Sequence, residues 1–549
     1  MVGSGAGETV GKVVDYKAAV QERVKQAGQK INESKADGGG GGGKSAGSCY
    51  ADGGGMDSGF IMKCLVRNEL GDGELFKHLF RDHFVFNKSM DCWMFWAGHH
   101  WQIDKMNSAE ASVESVARVY QDEARRLSGE INALTAKDPD KHRGRIQDMK
   151  DDRNSLNKRV SALRSTRRRK NCLAFAHTSD QPLAIEGNEV DLRPYLLPCQ
   201  NGVVNLSTGE LEPGRQSDYL IKACSVEWPA DGIDANYEDW EIVLDEVFSG
   251  NQSLVEFLQR IFGYALIGKV AESVLVVFHG QGRNGKSMIV ETISKILGPL
   301  AGAIRSEMLL DQQRVASASG PTPEIMSLRG LRMAFASETD DGCRLSTSKT
   351  KWLTGNDTLT GRNPHDKYDQ QFPPSHTLFL LTNHKPRVSA EDFAMWERMI
   401  LFPFELSFVN REPDPKKPNE RRADRDLPSR LQKMGPQILA WMVAGCLKYQ
   451  AGGLQPPQAV RDAVKEYRKN EDNLGDFIEE CCLTGADCRA AAAELYAAFE
   501  KWWEKNVSKT VPKPKAFGMW MGKRFERVKD GNIYYQGVGL LEVSEGFGG

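Results

Sequence analysis

The sequence predicts a multidomain α/β protein. Three observations carry that expectation. Val274-Leu-Val-Val-Phe278 is apolar throughout, is followed by a glycine-rich stretch, and leads into Ile289, Ile293 and Ile296 at helical spacing. Two further apolar runs, 331–337 and 377–382, each end in polar residues, Glu338 and Asn383. Long polar segments around them carry apolar residues three or four apart. Short strands with no polar alternation belong to a parallel sheet covered on both faces, and the intervening periodicity supplies the covering helices.

The chain has 549 residues, enough for about three or four domains. Its net charge of -2 and pI near 6.6 mean that any basic surface is local. The 11 cysteines are scattered and include no C-x-x-C pair, which argues against a disulfide framework or a zinc finger. A reducing, cytoplasmic setting is the simplest expectation. No apolar run approaches the ~20 residues of a membrane helix, so no membrane partner is expected.

Taken in order, residues 1–55 read as a flexible glycine-rich segment, with Gly38 to Gly43 unbroken. Residues 56–235 form the next unit. Phe76, Phe80, Phe84, Phe86, Trp93, Trp96 and Trp101 crowd its beginning and imply a compact core. His99-His100 match no metal-ligand spacing and read as packing residues. Residues 107–170 read as a helical hairpin broken at Asp138-Pro139-Asp140. The hairpin ends in a basic run, Arg164 to Lys170, which is either a solvated face or a phosphate contact. Short strands and turns come next, over 195–235.

Residues 236–410 contain the chemistry. Gly280-Gln-Gly282-Arg-Asn284-Gly285-Lys286-Ser287 has the spacing of a phosphate loop between strand and helix. Its glycines let backbone N–H groups approach phosphate oxygens, Lys286 supplies charge, and Ser287 offers a hydroxyl to Mg²⁺. Glu338 can hold the metal through water or polarise an attacking water. Asn383 is either a turn residue or an amide that orients water against a phosphate. A basic hairpin is expected between them, with Lys351, Arg362, His365 and Lys367 near its tip, as a phosphate contact or as a solvated loop. Arg398 precedes an apolar strand and reads as a structural ion pair or as an arginine finger reaching a neighbouring subunit. Residues 411–482 read as a helical extension and 483–549 as a winged-helix-like unit, with DNA binding and simple packing as alternatives for the latter.

The order of these motifs resembles superfamily 3 helicases within the AAA+ ATPases, in the branch of phage, plasmid and poxvirus primase–helicases. The resemblance rests on Gly280 to Ser287, Glu338, Leu353-Thr-Gly355-Asn-Asp357 with Arg362, Leu381-Thr-Asn383 with Pro386, and Trp396-Glu-Arg398 with Pro403-Phe404. Leu197-Pro198, Asn201-Gly202-Val203 and Phe262-Gly263-Tyr264 also match. It implies a ring, usually a hexamer, that hydrolyses ATP with Mg²⁺ between subunits and moves single-stranded or forked DNA. It also implies that 56–235 forms a collar. No primase site is evident, so a separate primase or polymerase is the expected partner. An ATP-gated initiator, loader or defence assembly is the alternative; a small-molecule kinase would leave half of the chain without a role.

Overall fold

The computed structural model describes residues 56–311, 320–337, 343–364, 366, 368–507, 509 and 511–541. The expected glycine-rich segment 1–55 lies outside them. The chain divides into one unit over Met1–Phe60 and a second over Ile61–Gly549, and the sheets of the molecule belong to the second.

The first part of this second unit packs helices against a small sheet. Helix α1 (Asn68–Phe80) is followed by strands β1 (Phe84–Asn87), β2 (Cys92–Trp96) and β3 (Trp101–Ile103). Next come α2 (Ser108–Lys137), α3 (Arg143–Leu163) and α4 (Thr166–Thr178), and β4 (Ala184–Ile185) closes the sheet in the order β3-β2-β1-β4. Val113, Val116, Tyr120 and Leu127 on α2 are buried together with Leu156, Val160 and Leu163 on α3, as their spacing requires. Asp72 is fully buried on α1 and accepts from Tyr120, from Arg159 at 2.7 Å and from Arg168. One carboxylate thus pins the later helices to the first.

A three-stranded antiparallel sheet, β5 (Leu196–Cys199), β6 (Gly202–Asn205) and β7 (Glu210–Glu212), leads to α5 (Glu238–Val247) and α6 (Gln252–Leu266). Then comes the central sheet. Strand β8 (Leu275–His279) runs into α7 (Lys286–Leu297); β9 (Ala301–Ile304), β10 (Met333–Ser337), β13 (Thr377–Thr382) and β14 (Met399–Pro403) complete it. All its pairings are parallel and the order is β14-β8-β13-β10-β9. Between β10 and β13 lie helix α8 (Thr347–Leu353) and the antiparallel pair β11 (Leu359–Gly361) and β12 (Gln370–Phe372); α9 (Phe393–Trp396) precedes β14.

Side chains alternate across this sheet into two cores. Val276, Phe278, Phe335, Phe379, Leu381 and Phe402 join one, with Phe262 of α6 and Ile289 and Ile293 of α7. Leu275, Val277, Ala336, Leu380 and Leu401 join the other, with Leu353, Met395 and Trp396. Burial on both faces is why the interiors of β8, β10, β13 and β14 are apolar, with His279, Ser337, Thr377 and Thr382 only at strand ends.

Two short strands, β15 (Ser407–Val409) and β16 (Glu420–Arg422), lead on to helix α10 (Gly435–Gly452). Helix α6 crosses α10 so closely that a Cβ on Gly263 would stand 2.1 Å from the Cys446 nitrogen. Only glycine permits that approach, which accounts for the small residue in Phe262-Gly263-Tyr264. The C-terminal part contains α11 (Gln458–Asn470), α12 (Asn473–Cys481), β17 (Cys482–Ala491), α13 (Ala492–Asn506), α14 (Pro514–Arg524), β18 (Glu526–Asp530) and β19 (Asn532–Leu540). The last sheet is ordered β17-β19-β18 and shares one core with Leu474, Phe477, Phe499, Trp502 and Phe517. No described helix is long and apolar enough to cross a membrane.

A candidate phosphate-binding site

The parallel register decides which loops meet. Thr382 and Pro403 both lie opposite His279, and Ser337 lies opposite Leu381, so the C-terminal ends of β8, β10, β13 and β14 share one edge. The loop after β8, Asn383 after β13 and the chain leaving β10 all emerge there. Such an edge is where parallel α/β sheets hold ligands.

The loop is built to come close. A Cβ on Gly280 would lie 2.1 Å from the Phe404 carbonyl oxygen, so only glycine fits between the loop and the end of β14. Gly285, at φ 89°, turns the chain into α7, whose first residue is Lys286. The helix therefore presents its unsatisfied N–H groups and the positive end of its dipole to the loop.

Lys286 is 5% exposed. Its Nζ donates to the Gly280 carbonyl at 2.5 Å and to Asn383 Oδ1 at 3.0 Å. The same Asn383 oxygen accepts from the Gly282 N–H at 3.3 Å. Asn383 thus ties strand β13 to both the loop and its lysine. Among the described residues no carboxylate pairs with Lys286, and burial pulls its ammonium down to about 8. His279 is brought down to about 4 by burial and by the cations Lys385 and Lys286, which leaves its imidazole neutral at pH 7. A buried lysine held, among the described residues, by a carbonyl and an amide at a helix N-terminus favours an anion beside it. Ser287 is exposed on the first turn of α7. The Asn284 side chain is used otherwise: it is buried and donates to the Phe404 carbonyl at 3.3 Å, leaving its backbone for a ligand.

Glu338 lies outside the described residues, immediately after the last residue of β10. Arg398 is at the opposite end of the sheet, where its carbonyl accepts from the Leu275 N–H at 2.7 Å. Five strand residues at ~3.3 Å each separate it from the loop edge, so it does not serve Lys286 of its own chain. Its Nη1 donates to the Ala394 carbonyl at 2.8 Å, while its buried Nε has no hydrogen-bond partner among the described residues.

The basic hairpin is present as β11 and β12, but Lys351 is not on it. Lys351 sits on α8, where burial of Thr350 and Leu353 sets the helix orientation, and it bonds both Asp392 carboxylate oxygens at 2.6 and 2.9 Å. Arg362 follows β11 and lies 3.8 Å from the Asp369 carboxylate. His365 and Lys367 lie outside the described residues. Tyr368, at the same turn, is 80% exposed; sequence reasoning missed it, because one aromatic among polar residues gives no periodic signal. In the run Arg164 to Lys170, Arg168 is drawn to Asp72, and Arg164 and Arg169 to Glu114, so much of that charge is committed internally. No group of three metal-ligating side chains occurs among the described residues, and His100 is buried beside Gln102.

Known proteins share parts of this chain. Residues 73–249 match the family described as "D5 N terminal like". "Putative helicase L207/L206" of Acanthamoeba polyphaga mimivirus is 26% identical over 59% of this chain and 35% of its own length. Over part of its length the chain is related to proteins of large DNA viruses named as putative helicases and putative primases. "Putative helicase 022R" of Frog virus 3 is 27% identical over 47% of this chain and 27% of its own length. "Putative primase C962R" of African swine fever virus (strain Badajoz 1971 Vero-adapted) is 23% identical over 44% and 26%. The chain thus spans between about a quarter and a third of the length of these relatives.

Proposed function

We propose that this primase–helicase relative is an ATP-dependent DNA helicase of the superfamily 3, AAA+ type, working as a ring, most simply a hexamer. One observation carries the reading. The sheet puts Lys286 and Asn383 at one edge and Arg398 at the other, so Arg398 reaches a phosphate held by the first two only from a neighbouring copy. The order β14-β8-β13-β10-β9, with the phosphate loop after β8 and the amide after the adjacent β13, supports the AAA+ assignment.

In this reading Gly280, Gly282, Asn284, Gly285, Lys286 and Ser287 hold the nucleotide, and Ser287 with Glu338 holds Mg²⁺. When bound there, Mg²⁺ would supply positive charge against the phosphate oxygens. Lys286 keeps its proton and stays on the phosphate oxygens. Asn383 gives up its contact with Lys286 and orients water. Arg398 of the adjoining copy supplies positive charge where negative charge develops. Residues 56–235 act as a collar, 236–410 as the motor and 411–482 as a helical extension. The order α12-β17-α13-α14-β18-β19 supports a winged-helix-like end, whose shared core reaches back to Leu474, ahead of residue 483.

The hairpin with Arg362, His365 and Lys367 contacts DNA phosphates, and Lys351 holds the hairpin's approach through Asp392. A primase or polymerase is the expected working partner. The names of the viral relatives support a replication role over a small-molecule kinase.

The test mixes two inactive variants. Arg398→Ala should bind ATP with near-normal affinity yet turn it over poorly, and Lys286→Ala should fail at both. Mixed rings should regain part of the DNA-stimulated ATPase, because some interfaces join an intact loop to an intact arginine. No recovery across all mixing ratios would sink the shared-site reading.

A further inference from the structure

A cleft of about 400 Å³ lies between the loop that follows β13 and the C-terminal part of the chain. One wall carries Arg344 and Arg387. They sit side by side because their backbones bridge: Leu345 N–H donates to the Arg387 carbonyl at 3.0 Å, and Arg387 N–H to the Cys343 carbonyl at 2.8 Å. Both are exposed and form no ion pair among the described residues. The facing wall carries Trp503 of α13 and Trp520 of α14, half-buried, with ring centroids 6.4 Å apart and planes inclined by 30°.

The carboxylates of the cleft are already engaged. Arg524 of α14 bonds Asp472 at 2.6 Å and Glu391 at 2.9 Å, and Lys523 lies 3.7 Å from Glu391. Glu471 accepts from the Val388 N–H at 3.1 Å, and burial pushes its carboxyl up against the pull of Arg387, Arg344 and Lys385. The Arg524 and Lys523 contacts clamp α14 to the motor and fix the width of the opening. The two adjacent guanidinium groups have Glu471 as a nearby carboxylate but form no ion pair with it, so their fork donors are left for a further anion, and the indole walls opposite offer flat apolar surface.

We propose that this cleft holds one nucleotide unit of single-stranded DNA, its phosphate on Arg344 and Arg387 and its base against Trp503 and Trp520. The assignment rests on the helicase reading and extends it: the strand engages the seam between motor and C-terminal part as well as the hairpin. Phosphate contact gives position, and stacking gives affinity without sequence preference.

The experiment titrates the full-length protein with fluorescein-labelled oligo(dT), using wild type, Arg344→Ala/Arg387→Ala and, separately, Trp520→Phe. The double arginine variant should weaken binding about tenfold or more and flatten the logarithmic salt slope by about 0.7 for each phosphate it no longer neutralises. Oligo(dT) should quench wild-type tryptophan fluorescence, and Trp520→Phe should show less of that quenching while keeping its fold. ATPase activity without DNA should match wild type in both variants. Wild-type affinity, salt slope and quenching in both variants would overturn the assignment and leave the helicase reading standing. So would competition by dTMP as effective as that by the strand, since the occupant would then be a free nucleotide. A wild-type protein that binds no oligonucleotide at all would overturn the helicase reading and this site together.

Discussion

Two buried cationic clusters in this molecule use similar residue chemistry to opposite ends. Around Asp72, Arg159 and Arg168 converge on a single carboxylate, with Tyr120 completing its acceptor sites. Around Gly280, Lys286 is also buried but, among the described residues, meets only a carbonyl and an amide oxygen. The first cluster carries built-in counter-charge, Asp72 with Glu69 3.9 Å from Arg168, and holds helices together. The second has no built-in carboxylate among the described residues, and it is where we propose that a phosphate binds. Burial alone therefore does not mark a functional cation; the presence or absence of a built-in counter-charge does.

The contrast is broken most directly at Asp72. Asp72→Ala strands two arginines in a buried setting, and removing one partner of such a pair costs about 3–5 kcal/mol. Chemical denaturation should show that loss, with nucleotide affinity at the phosphate site unchanged below the unfolding transition. A variant as stable as wild type would mean that water already satisfies these arginines.

At the open cluster the expected effect is on chemistry. Lys286→Ala should lower ATP turnover on the order of 100-fold or more, as removal of a pre-positioned charge donor does, with little change in the denaturation midpoint. Phosphate release measures the first and unfolding the second. Retained turnover would remove the central assignment.

The smallest effect sharpens the contrast by pH. Burial sets the Lys286 ammonium at about 8, so it is charged below that pH and progressively neutral above it. Phosphate favours the charged form. ATP affinity should therefore be level with respect to this group below pH 8 and fall by up to about tenfold per unit above it. Lys286→Met should bind weakly with no such break. A wild-type affinity that is flat between about pH 7 and pH 9.5 would show that the lysine already has a counter-charge.

Much of the central parallel sheet was legible from the chain because its strands are short, largely apolar and followed by punctuation. Val274 to Phe278, the glycines after it and Ile289 onward specify strand, loop and helix locally, and Thr377 to Thr382 ends where the apolar run ends. Helix α6 and the pair α2 and α3 were readable by spacing for the same reason. Cation roles were not readable. Lys351 and Arg362 look alike in a basic stretch, yet one lies on a helix against Asp392 and the other beside a hairpin turn. Arg168 sits in a run that reads as exposed charge and is half-buried against Asp72 instead.

The sequence by itself determined the local elements of the central sheet and the spacing of the glycine-rich loop after β8, since these depend on neighbours within a few residues and on which positions tolerate glycine. Only the tertiary structure decided which charges are spent and which are open. Asp72 and Arg168, Lys351 and Asp392, and Lys286 and Asn383 are each tens of residues apart, and their pairing comes from strand order and helix docking, which no local pattern encodes.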